Sequence, residues 1–124
     1  MSQEDNQPAS YSDNFLSALY VPTPPKFYDP PSWVLCSCVN TGKWLIYGSL
    51  GDIKWGDASR IVPNNARIAP GTIVLTNEGP GHLGVISSVS GDYIHVKEGN
   101  WKPCQFTERE LKTDDPRIKG YWKP

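Results

Sequence analysis

Two of the three cysteines flank a single serine in the stretch Trp33–Gly48, WVLCSCVNTGKWLIYG, and the whole chain holds only two histidines, His82 and His95. A thiol becomes a nucleophile near neutral pH where its surroundings favour the thiolate, and acyl transfer then needs an imidazole to move the proton. The pattern therefore asks which sulfur meets which ring. Three cysteines cannot all pair within one chain, so at least one thiol is expected free and a secreted disulfide scaffold is not expected.

Ser32, after Asp-Pro-Pro, is a candidate helix cap, and Leu35, Cys38 and Val39 follow at the spacing of one helical face. Residues two apart on a helix point about 200° away from each other, so Cys36 and Cys38 cannot both face the body of the protein. Cys38 is expected to look inward and Cys36 elsewhere. Near the first turn the positive end of the peptide dipoles favours a thiolate at Cys38. Gly42 predicts a short or kinked helix.

The second half of the chain reads as strands. GTIVLT (71–76), LGVISSV (83–89) and YIHVK (93–97) are β-branched runs separated by the turn formers NEGPG and SGD, which predicts an antiparallel meander. TERE (107–110) matches a capping box and predicts one helical turn, and RIKGYW a last short strand. His95 alternates with Ile94 and Val96 and is expected outward, whereas His82 opens a strand directly after GPG. Gly84, on the same face as His82, is expected to let the helix approach the sheet. Glu98 and Asn100 share parity with Ile94 and Val96, which places a carboxylate and an amide where they could orient the ring of His82.

These elements define an α+β domain in which an N-terminal helix carrying the nucleophile packs on a small antiparallel β-sheet. Residues 1–31 hold six of the twelve prolines and read as a flexible proline-rich arm with a possible helical turn at NFLSALY, leaving 32–124 as the catalytic domain. A chain of 124 residues has room for one core and one site. Twelve Lys and Arg against thirteen Asp and Glu give a net charge of -1, which offers no basic patch for nucleic acid. The apolar run FLSALYVP is too short for an export signal, and no membrane insertion is expected. A competing arrangement places Cys36, Cys38, Cys104 and a histidine around zinc, but one intervening residue is tighter than the usual ligand spacing, so no metal and no cofactor are expected.

The helix with its Cys-Val, the run PGTIVLTNEGPGHLGVISSV with its Gly-His, the Glu-x-Asn sixteen residues after that histidine and the closing Gly-Tyr-Trp together resemble the CHAP domain, over about residues 32–122. CHAP domains are papain-like cysteine, histidine-dependent amidohydrolases and peptidases. The resemblance implies Cys38 as nucleophile, His82 as general base, Glu98 as orienting acid, Asn100 as a supporting polar residue, and the amide bonds of bacterial peptidoglycan as substrate. Trp101 is expected beside the cleft as a substrate contact, and the Cys38 N–H as the first oxyanion donor. The start MSQEDNQPAS carries acids where a signal peptide needs basic residues. With the resemblance, this fits a phage lysin held in the host cytoplasm until holin-dependent release, or an enzyme carried with other virion proteins. The alternative is a non-catalytic CHAP-like module serving virion structure or wall adhesion.

Overall fold

A computed structural model describes residues 25–124. The expected arm and its NFLSALY turn lie outside the described residues up to position 24. The folded body extends N-terminal of Ser32: Phe27 packs against the core, and the Tyr28 N–H donates to the Leu45 carbonyl at 3.0 Å.

The described chain forms one α-helix, α1 (Cys38–Tyr47), and five strands, β1 (Ile73–Thr76), β2 (His82–Ser90), β3 (Tyr93–Gly99), β4 (Phe106–Lys112) and β5 (Ile118–Trp122). The strands make one antiparallel sheet in the order β4-β3-β2-β1-β5. β1, β2 and β3 form the meander expected from the short turns, β4 extends it where a helical turn was expected, and β5 returns to the free edge of β1. The architecture is α+β, as the sequence pattern predicts.

Both faces of the sheet are filled. Leu83 and Val85 of β2 join Ile73, Leu75 and Leu45 of the helix in one apolar cluster, while Ile86, Ile94, Val96, Val74 and Leu111 make a second. The helix approaches its face so closely that a Cβ at Gly42 would lie 2.9 Å from the Leu83 side chain, and a Cβ at Gly99 would collide with Thr41. Gly42 thus sits buried inside an unbroken helix instead of interrupting it. The helix stops at Gly48, whose left-handed φ of 71° lets its N–H cap the Trp44 carbonyl.

Three local expectations are corrected. Ser32 does not cap the α-helix. It opens a single 3-10 turn, Ser32–Val34, and the cap is Ser37, whose side chain accepts from the Asn40 N–H at 3.1 Å. Residues 107–110 are extended within β4, because pairing with β3 from Gly99↔Phe106 to Tyr93↔Lys112 supplies their backbone partners. Gly84 faces Val96 and Glu98 and not the helix: a Cβ there would collide with Val96 and come within 3.4 Å of the Glu98 Cβ.

Gly84→Ala is accordingly expected to destabilise the fold by about 1–3 kcal/mol, the cost of overpacking a filled core. Urea unfolding would read this as a lower midpoint with an unchanged slope.

Candidate active site

Cys38 is the first residue of α1, directly after the capping serine, and is the one free cysteine. The cap follows from Ser-x-x-Asn at 37–40: the Ser37 hydroxyl satisfies the N–H of Asn40, and the Thr41 hydroxyl returns to the Ser37 carbonyl at 2.8 Å. This fixes the first turn and with it the sulfur.

His82 is the first residue of β2 and is 6 % exposed. The turn before it closes on Gly81, with φ of 119°, where a Cβ would lie 2.8 Å from the Ser59 backbone, so only glycine fits. By strand parity His82 belongs with Gly84 and Ile86, on the face opposite α1. It still meets Cys38, since the helix begins beside the first residue of the strand and both side chains line one small cleft of about 270 Å³.

The imidazole Nε2 lies 2.8 Å from Glu98 Oε1. Nδ1 is the nitrogen left for the sulfur. Burial works against a charged ring, but hydrogen bonding and charge from Cys38 and from Glu98 outweigh it and raise the His82 pKa from 6.5 to about 9. At neutral pH the ring is therefore an imidazolium between a sulfur and a carboxylate.

Glu98 is 1 % exposed and fully engaged. Besides His82 it accepts from the Thr107 hydroxyl at 3.3 Å and from two nitrogens of Arg109, Nε at 2.5 Å and Nη2 at 3.0 Å. Arg109 extends its outer edge to both oxygens of Glu78, at 2.9 and 2.8 Å. The Arg109 bond, against a smaller cost of burial, holds the Glu78 carboxyl at about 2, well below the usual range. Neither Arg109 nor Glu78 was among the sequence candidates. The signal for Arg109 is the alternation Thr107, Arg109, Leu111 on the inward face of β4, hidden once TERE is taken as helix.

Asn100 stands apart from the ring. It holds a left-handed φ of 62°, and its Oδ1 accepts from the Cys104 N–H at 2.8 Å, so its side chain shapes the β3–β4 connection. It nonetheless lines the cleft, as does Trp101, whose indole N–H donates to Glu78 at 3.1 Å. His95 points outward as expected and pairs with Glu108 at 2.8 Å, with 38 % of its side chain exposed.

Cys36 and Cys104 form a disulfide, which leaves Cys38 as the unpaired thiol that an odd cysteine count requires. The bridge takes two sulfurs from the four donors the zinc arrangement would need. It also ties the residue before the helix cap to the connection that carries Asn100 and Trp101.

A second, wider cleft of about 660 Å³ opens on the other side of Cys38, between the helix start and the segment around Lys54, Trp55 and Asp57. Cys38, Pro80, Gly81 and Asn100 border both clefts, so the sulfur sits at their junction. A chain-like ligand could run through both and place one of its bonds at the thiol. Among the described residues no helix is long and apolar enough to cross a membrane.

Compared with protein-family models, curated proteins and solved structures, the chain matches none.

Proposed function

We propose that the protein is a papain-like cysteine amidohydrolase or peptidase of the CHAP kind that cleaves an amide bond of bacterial peptidoglycan. The observation that carries this is the alignment of a helix-start thiol, a buried imidazole and a buried carboxylate at the meeting point of two clefts. In the reaction the Cys38 thiolate adds to the amide carbonyl and the oxyanion takes the Cys38 N–H, which as a first-turn N–H has no partner within the helix. The His82 imidazolium then gives its proton to the leaving amine, and a thioester remains. Water attacks the thioester with His82 now as base, and the thiol is regenerated. Glu98 keeps Nε2 occupied, so Nδ1 stays turned toward sulfur and substrate. Trp101 forms a wall of the smaller cleft and contacts the substrate there.

Such an enzyme acts outside the cytoplasm of the cell it attacks, either after holin-dependent release or from a virion. Purified protein incubated with bacterial sacculi tests the proposal. The expected result is soluble fragments with new amino termini, and none from Cys38→Ala. Pelleting with the sacculi without fragment release, in wild type and variant alike, would identify an adhesion module instead.

A further inference from the structure

The Arg109 guanidinium poses a problem for the site it adjoins. It binds both oxygens of Glu98, and a cation so close cancels the negative charge that holds His82 protonated and oriented. Glu78 answers it from the opposite edge of the same guanidinium with a bidentate pair, and its side chain is only 17 % exposed. The surrounding charges leave this answer intact. Arg117 reaches Glu78 at 3.5 Å but is itself paired with Asp115 at 2.9 Å, so those two cancel. What faces His82 is then Cys38 from α1 and Glu98 from β3, backed by Arg109 from β4 and Glu78 from the β1–β2 connection. Glu98, Arg109 and Glu78 together carry one net negative charge.

The same carboxylate also reaches the cleft wall. Glu78 accepts from the Trp101 indole N–H at 3.1 Å and from the Thr76 hydroxyl at 2.9 Å, and the Arg109 guanidinium stacks 4.1 Å from the centre of the Trp101 ring. We propose that Glu78 is a positioning residue of the active site, which acts through Arg109 to restore negative charge behind the His82–Glu98 pair and fixes Trp101 at the cleft. For Trp101 this rests on the hydrolase proposal; for His82 it does not. Glu78 remains ionised throughout the range in which the imidazole titrates, so the charge is always present.

Because the chain has only two histidines, NMR titration of the imidazole protons in the full chain reads each ring separately. In Glu78→Gln the His82 midpoint is expected to fall by roughly half a unit to one unit, while that of His95 stays in place. The upper limb of the pH profile for sacculus digestion should move by the same amount. Glu78→Asp keeps the charge on a shorter arm and should give an intermediate midpoint, which can be read by itself if the Gln variant does not fold. A merely structural Glu78 would lower the melting temperature without moving the His82 midpoint in either folded variant, and that result overturns the proposal. A wild type that digests no sacculi, with the His82 shift still seen in Glu78→Gln, overturns the substrate assignment and leaves the charge relay standing.

Discussion

Replacing His82 by alanine is expected to slow sacculus digestion by about 10²- to 10⁴-fold, the usual contribution of a positioned acid–base group. Replacing His95 by alanine should leave the rate within about twofold, as expected of a surface substitution remote from the chemistry. The contrast follows from what each ring touches. His82 is buried between Cys38 and Glu98, whereas His95 makes one solvent-exposed pair with Glu108. The pH profile gives a second signature. Cleavage requires the imidazolium to protonate the leaving amine, and the ring holds its proton up to about pH 9, well above the ordinary value of 6.5. The rate should therefore stay high through neutrality and fall as pH passes about 9. Fragment release measured against pH in wild type, His82→Ala and His95→Ala checks both points. Equal losses in the two alanine variants would remove His82 from the chemistry.

His82 and Glu98 could be placed from the sequence because each follows a rule acting over a few residues, whereas the face expected for Cys38 counted Leu35 into a helix that begins only at Cys38. Period-two alternation puts Glu98 with Ile94 and Val96 on an inward face, and that face is where it lies. A strand opening after GPG places His82 at the end of the sheet. Asn100 obeys the same alternation on paper, but the strand ends at Gly99 and the left-handed turn swings its side chain toward Cys104. Parity holds only while the backbone stays extended.

What stayed hidden depends on contacts between distant segments. TERE satisfies a capping box, yet residues 106–112 complete the edge of a sheet, where pairing with β3 outweighs a local cap. Once β4 is missed, Arg109 has no place, and Glu78 looks like one more polar residue in a turn. The support behind Glu98 is thus invisible until the last strand pair is known. Gly84 shows the same limit from the other side: a glycine near the site was expected to admit the helix, but it makes room for Val96 and Glu98, and Gly42 and Gly99 admit the helix instead.

The Cys36–Cys104 disulfide should set both the stability of the protein and the redox conditions in which it works. The bridge spans a sequence separation of 68, and closing a loop of that size in the unfolded chain is worth about 4 kcal/mol in the chain-entropy account. The double variant Cys36→Ser/Cys104→Ser is expected to lose stability of that order in urea unfolding. Activity should fall as well, since the bridge anchors the segment before the Ser37 cap to the connection bearing Asn100 and Trp101, both of which line the cleft beside Cys38. This sets the protein apart from a thiol enzyme without such a staple, which a reductant only protects. Here Cys38 must be reduced while its neighbours two residues and 66 residues away stay oxidised. Alkylation followed by intact mass should find one adduct on the native protein and three after reduction. A phosphine reductant should lower the rate of digestion in wild type and leave the double variant, already slow, unchanged. If full reduction leaves both the unfolding midpoint and the rate of the wild type as they were, the staple has no part in holding the site.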